Sequence, residues 1–402
     1  MISSRCERFA GAGVGISGAK PRPANIVLSS CAPAAFQRRR DRRRLMKAQL
    51  KPRINLDDRT ALETVIPLDT PFIVFVDPAS SCNFKCTFCP TGHRDLIADT
   101  GRFQGAMKYE VFQKVVDNLG EFPQKIKVLR MYKDGEPLLN KRFADMVAYA
   151  KQSGHADYID STTNGTFITP ERMGPIIEAG LDKLNISVDG MTREQYIQFT
   201  GFKFDFDAFV KNVKWLYANK GNMEISIKIP GELITQAQRQ EFFDTFGDHC
   251  DRIFIENFAP CWPEFDIEKH TGVKITGGIY QQEIGNTDTC PYIFYGYSVN
   301  ADGLVSSCFL DWGRKLIIGD VRKQTMREIW NSDTMNALRL QHLEGRRCEN
   351  GTCGNCGQLT HCLPDNIDAF RPMLLEKFKS AVTMDPGAQA PGGRRLAVEA
   401  AE

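Results

Sequence analysis

No run of about 18 apolar residues occurs in this 402-residue chain, so no membrane-spanning helix is expected. An excess of one charge is missing too. The formal net charge is +2, which points to no particular acidic partner. Acids are scarce at one end only: residues 1–50 hold just Glu7 and Asp41, beside Arg38, Arg39, Arg40, Arg42, Arg43 and Arg44. That segment has no hydrophobic periodicity, and polar Arg-rich tracts cannot build a core. A transit peptide or a nucleic-acid arm would use such a tract. The expectation here is a disordered extension over 1–60, with Met46 as an alternative first residue. The Pro-, Gly- and Ala-rich tail over 385–402 is also expected to be disordered. No secretory leader is recognisable, so a cytoplasmic location is expected.

Cysteine, by contrast, is abundant, at 13 residues. The cysteines fall in groups: 82, 86 and 89; then 290 and 308; then 348, 353, 356 and 362. Grouped cysteines in a large chain without a leader favour metal over disulfides. The first group reads Cys82-Asn-Phe-Lys-Cys86-Thr-Phe-Cys89, with the aromatic Phe88 before the third Cys. Three thiolates this close can grip three irons of one cubane cluster. With no fourth Cys nearby, the fourth iron is left open to a small molecule. A zinc knuckle or a redox pair is the alternative that the spacing leaves open.

Between about Pro71 and Phe258, short apolar runs alternate with helical patterns. Strands are expected at 72–76, 126–131, 158–161, 184–188, 224–229 and 252–256. Helices are expected around Val111–Leu119 and over 141–152, 170–179, 206–218 and 236–246. Strand–helix alternation implies a parallel sheet with right-handed crossovers. Six units fall short of a closed eight-fold barrel.

The cysteine loop resembles the signature of the radical S-adenosylmethionine (SAM) superfamily, whose open iron chelates the amino and carboxylate groups of SAM. The resemblance implies an α/β fold, an open, TIM-like partial (β/α)6 barrel over 70–260, with the cysteine loop after its first strand. Other motifs fall at the ends of later strands. Gly135-Glu136-Pro137 matches the family's G-G-E-P, with Asp134 in place of the first Gly. Glu136 would accept from the SAM amino group, and Gly135 lets the backbone approach closely. Asn164 lies in a T-N-G segment. Ser187 and Asp189 resemble the S-x-D-G ribose motif and share one strand face. Each segment alone also suits an ordinary turn.

Beyond the barrel, Cys290-x12-Gly303-x4-Cys308 and Cys353-x-x-Cys356-x5-Cys362 resemble the SPASM/Twitch extension of some radical SAM enzymes. A capping box, Thr325-x-x-Glu328, opens a helix between them. No Cys follows Cys362, so a two-cluster array is incomplete. The expectation is a small C-terminal iron–sulfur domain over 285–365 with one auxiliary [4Fe–4S] cluster on Cys290, Cys308, Cys353 and Cys356. Cys348 and Cys362 would be free or would replace one of these. A zinc ribbon is the alternative. Cys250 and Cys261 read as buried thiols.

The resemblance spans roughly Phe72 to Cys362. It implies reductive cleavage of SAM to a 5′-deoxyadenosyl radical that abstracts hydrogen from substrate, with a donor such as flavodoxin or ferredoxin. A single auxiliary cluster suggests an oxidoreductase that dehydrogenates an alcohol of a small, sugar-like or aminocyclitol molecule. Asp311, three residues after Cys308, is the candidate base. The alternative is a maturase of a ribosomally made peptide; a non-catalytic zinc and nucleic-acid binder stands outside both. The near-neutral charge argues against nucleic acid.

Overall fold

The computed structural model describes residues 46–54 and 59–383. Ten strands form one sheet: β1 (Gln49–Leu50), β2 (Ile73–Val76), β3 (Ile126–Arg130), β4 (Ala156–Thr163), β5 (Lys183–Ser187), β6 (Glu224–Pro230), β7 (Arg252–Glu256), β8 (Gly296–Val299), β9 (Leu304–Ser306) and β10 (Ile317–Asp320). Their order is β1-β7-β6-β5-β4-β3-β2-β8-β9-β10. Strands β2 to β7 are parallel and lie in sequence order, which is the expected six-stranded partial barrel.

Strand alternation sorts the two faces. Val74, Leu129, Ile159, Leu184, Ile186, Ile225, Ile227 and Ile253 are fully buried. They join Phe112, Val115, Val116 and Leu119 of the helix Tyr109–Leu119 in one core. The opposite face carries the other parity: Phe75, Arg130, Asp160, Lys183 and Glu224 stand in register across five strands. This lumen face is polar and ion-paired. Arg130 lies 3.7 Å from Asp160, Lys183 lies 2.9 Å from Glu224, and Lys228 lies 2.7 Å from Glu256.

The crossover helices begin where local chemistry starts them. Thr169 caps Pro170–Glu178 by accepting from the Arg172 amide, and Thr235 and Gln238 close a capping box on Gln236–Phe246. The expected box at Thr325 and Glu328 is present and opens Met326–Trp330.

One expectation changes. Disorder was expected through residue 60, yet Met46–Arg53 is built into the barrel. Ala48 donates to the Gly247 carbonyl at 2.9 Å, and β1 pairs with β7. Met46 and Ala48 pack against the core, and Arg53 reaches Glu256 at 3.4 Å. Burying Met46 and Ala48 stabilises a segment that composition alone marks as polar. Arg59 likewise reaches Asp365 at 3.0 Å; residues 1–45 and 55–58 and the tail 385–402 lie outside the described residues. The C-terminal segment lacks a sheet of its own: β8 pairs parallel with β2, and the β9–β10 hairpin continues from it. Among the described residues, no helix is long and apolar enough to cross a membrane.

Candidate functional site

The first cysteine loop follows β2 and is pinned from both sides. The Lys85 and Thr87 amides donate to Thr200 and Phe199 at 2.7 and 2.9 Å. Phe84 is buried among Tyr196, Phe202 and Phe204, and Phe88 stacks on Phe258 at 5.1 Å. The two aromatics anchor the loop. Gly92 allows the return of the chain, since a Cβ there would meet the Cys86 carbonyl at 2.2 Å.

The turn after β3 docks edge-on to this loop. The Glu136 amide donates to the Ser81 carbonyl at 2.9 Å, and a Cβ on Gly135 would lie 2.2 Å from that oxygen. Glu136 is buried. Its Oε1 accepts from the Leu138 amide at 3.0 Å and the Thr163 hydroxyl at 2.8 Å, and its Oε2 accepts from the Asn164 amide at 2.7 Å. Burial still pushes its carboxyl up to about 7, against the pull of those donors. Pro137 begins the turn that Glu136 caps. The Asn164 side chain donates to Asn83 Oδ1 at 2.8 Å and approaches Cys82 Sγ at 3.8 Å. Ser187 ends β5 on the lumen face. Asp189 is buried beside Cys86 and Lys228, and burial pushes it up to about 7.

Asp134, where the sequence departs from G-G-E-P, has a task of its own. It pairs with Arg314 at 2.7 Å, Lys133 at 3.0 Å and Arg102 at 3.4 Å, all of them buried. Burial alone would raise its carboxyl; the three cations hold it at about 2. Arg314 belongs to the segment after Cys308, so the salt bridge ties that segment to the turn after β3. Trp312 adds a second tie: its indole N–H donates to the Thr91 hydroxyl at 2.8 Å, and Thr91 donates to the Asp134 carbonyl at 2.8 Å.

Cys290, Cys308, Cys353 and Cys356 line one cavity, together with Tyr292, Leu310, Asp311, His342 and Arg347. Cys362 does not line the cavity but packs in one apolar cluster with Cys261, Cys308 and Cys356, its sulfur 3.3 Å from that of Cys261. Cys348 does not line the cavity. Asp311 is fully buried, and its two oxygens accept from the Lys315 and Leu316 amides at 2.8 and 3.0 Å.

Burial pushes Cys82, Cys308, Cys353 and Cys356 up to about 12, and Cys86 and Cys290 well above the usual thiol range. Thiols crowded this way ionise only beside compensating positive charge, which a metal centre supplies. One local geometry recurs among them. Cys82 and Cys308 each take a hydrogen bond at 3.4 Å from the amide two residues later. Those bonds favour thiolate. Among the described residues, no three His, Cys, Asp or Glu side chains sit close enough to share one metal ion.

The sequence reading missed the lumen charges, although the alternation in Lys183-Leu-Asn-Ile-Ser187 and Glu224-Ile-Ser-Ile-Lys228 signals them. It also missed the repeated N–H···S turn, for which the sequence carries no signal.

The radical SAM superfamily model matches residues 76–246, and the SPASM iron-sulfur cluster-binding domain model matches residues 290–357. The tungsten-containing aldehyde ferredoxin oxidoreductase cofactor-modifying protein of Pyrococcus furiosus is 30% identical over 305 residues, covering 66% of this chain and 83% of that one. A probable GTP 3′,8-cyclase of Pyrococcus horikoshii is 32% identical over 135 residues, covering 33% of this chain and 39% of that one. Among solved structures, Streptococcus suis SuiB bound to precursor peptide SuiA shares the fold with a TM-score of 0.53 at 14% identity, covering 74% of this chain and 72% of that one. The chain belongs to the radical SAM superfamily and carries a C-terminal SPASM iron–sulfur domain, so it is a radical SAM enzyme that uses [4Fe–4S] clusters and S-adenosylmethionine.

Proposed function

We propose that Cys82, Cys86 and Cys89 hold the SAM-binding cluster, that Cys290, Cys308, Cys353 and Cys356 hold one auxiliary cluster, and that the enzyme dehydrogenates an alcohol on a small polar molecule in the barrel lumen. The barrel spans about 70–260 and the auxiliary domain about 285–365. Gly135, Glu136, Pro137, Asn164, Ser187 and Asp189 form the SAM pocket. Bound there, the cofactors supply a 5′-deoxyadenosyl radical and an electron acceptor. A flavodoxin or ferredoxin supplies the reducing electron.

The observation that carries this reading is the polar lumen between the two cysteine sets. Asp189 lies by Cys86, Lys228 by Asp189, Glu256 by Lys228 and Arg53 by Glu256. On the other side Phe75 stacks on Phe309, the neighbour of Cys308, at 4.6 Å. Lumen atoms left without a hydrogen-bond partner include Asp160 Oδ1 and Thr162 Oγ1. A ligand rich in hydroxyl or amino groups would satisfy them. Tyr132 and Phe75 pack edge-on at the same mouth and help keep water from the reacting carbon.

Asp311 spends both oxygens on backbone amides, so in this reading it positions the loop after Cys308. Asp160, raised by burial and with a bare oxygen in the lumen, is the better acceptor for the hydroxyl proton.

The test is anaerobic reconstitution with dithionite and SAM, followed by assay of 5′-deoxyadenosine against sugars and aminocyclitols, with carbonyl trapping of product. Deoxyadenosine formed in step with a trapped ketone supports the reading. Turnover with peptides alone sinks it and favours the maturase.

A further inference from the structure

His342 stands on the wall of the four-cysteine cavity. It lies in the last turn of the helix Asp333–Leu343, is 1% exposed, and neither ring nitrogen has a hydrogen-bond partner in the protein. Folded proteins seldom leave a buried polar group bare. Its neighbours explain why the chain offers nothing: the wall there is built from Ile293, Leu310, Leu316 and Leu359 besides the thiols. The partner is therefore to be sought in what fills the cavity. An imidazole carries at least one N–H in either tautomer.

One backbone donor at the cavity is already directed at sulfur: the Leu310 amide donates to Cys308 Sγ at 3.4 Å. Arg347 is engaged with the Cys353 carbonyl, Asp311 with backbone amides and Gln358 with the Tyr292 hydroxyl, whereas both ring nitrogens of His342 are left without a partner on the wall.

We propose that His342 donates a ring N–H to the auxiliary cluster, at a sulfide or at the Cys353 sulfur, and so raises its reduction potential. This rests on the assignment of Cys290, Cys308, Cys353 and Cys356 as cluster ligands. Reduction adds negative charge to the cluster, and a hydrogen bond to sulfur stabilises that form. A cluster that accepts an electron from a substrate radical gains from such a bond. His342 is thus a positioning and tuning residue, and it touches no substrate.

The experiment uses the full chain with both clusters reconstituted. Electron–nuclear double resonance of the reduced auxiliary cluster, in water and in deuterium oxide, reads exchangeable protons coupled to it. Redox titration followed by electron paramagnetic resonance reads both potentials. Wild type should show an exchangeable proton coupling that His342→Leu loses. His342→Leu should lower the auxiliary potential and leave that of the SAM-binding cluster in place. His342→Gln keeps an N–H and should recover part of the shift. An unchanged auxiliary potential and coupling in iron-replete His342→Leu overturns the proposal. Loss of the auxiliary irons from both variants, or a strong directly bonded nitrogen coupling in wild type, makes His342 a ligand and overturns the donor role. Wild type that binds only about four irons, and not about eight, overturns the ligand assignment itself. That result is distinct from a missing proton coupling in a protein with both clusters.

Discussion

The Thr163 hydroxyl donates to Oε1 of Glu136 at 2.8 Å, and this bond ties the end of β4 to the turn after β3. It is one of three donors that pull down a carboxyl which burial nevertheless holds at about 7. Thr163→Val removes the donor and keeps the shape. The bond favours the charged form, so its loss should raise Glu136 further. The destabilisation should reach about 1–3 kcal/mol at pH 8 and be smaller at pH 6, where the carboxyl is already protonated. Urea unfolding at the two pH values measures this. An equal loss at both would show that the hydroxyl serves packing only.

The same carboxyl gives SAM binding a pH dependence. Its folded pKa lies above its unfolded value, so its contribution to stability is full below about 4.5 and is lost as pH rises through about 7. If the SAM ammonium sits against Glu136, it pulls that pKa back down and binding releases a proton. Affinity should then rise from pH 6 toward 8, by up to about tenfold per unit below 7. Calorimetry of cluster-loaded protein in two buffers of different ionisation heat counts the protons. Glu136→Gln should remove the part of the release that Glu136 carries and leave that of Asp189. Identical proton counts in wild type and variant would reject Glu136 as the contact.

Asp134→Gly restores the residue that the family motif has at this position. The change leaves Arg102, Lys133 and Arg314 buried without their shared partner. Removing one side of a buried ion pair costs about 3–5 kcal/mol. The segment around Asp311–Arg314 should also loosen, because Arg314 loses its anchor. Urea titration and hydrogen exchange of peptides spanning 308–316 test both parts. Wild-type stability and exchange would mean the departure from the motif is neutral.

Much of this arrangement is legible in the chain. All six barrel strands stand where periodicity puts them, because each is an apolar or alternating run bounded by turn residues. The motif residues Gly135, Glu136 and Asn164 do meet beside Cys82, since parallel strands in sequence order present successive C-terminal ends at one edge. The two-residue strand β1 is not legible: Gln49 and Leu50 are too few to show a period, and the arginines before them dominate the composition. The β8–β9 hairpin left a signal in Asn300-Ala-Asp-Gly303, a turn closed by a glycine at φ +90°, which reads equally well as part of a cysteine motif. The Asp134–Arg314 contact joins residues 180 apart in the chain. A local reading sees only that a glycine is missing from a motif, and the compensating arginine lies in another domain.

Glu256 offers a test of the lumen that does not depend on the cysteines. Its side chain is 2% exposed and faces Lys228 at 2.7 Å and Arg53 at 3.4 Å. Lysine and arginine hold it below the usual carboxylate range although burial works the other way. Glu256→Gln keeps the volume and removes the charge, which leaves two cations facing each other across the chamber. Destabilisation of about 3 kcal/mol is expected. Lys228→Met removes one of those cations, and the double variant should recover part of the loss. A coupling energy above about 1 kcal/mol from the double-mutant cycle is the expected result. Both variants should assemble the Cys82, Cys86 and Cys89 site normally, because neither side chain holds that loop. Their effect on substrate should be a raised KM, with SAM cleavage in the absence of substrate unchanged. Additive losses in the cycle would mean that Lys228 and Glu256 do not act as a pair. Lost SAM cleavage would mean that the lumen pair supports the SAM pocket and not a substrate beside it.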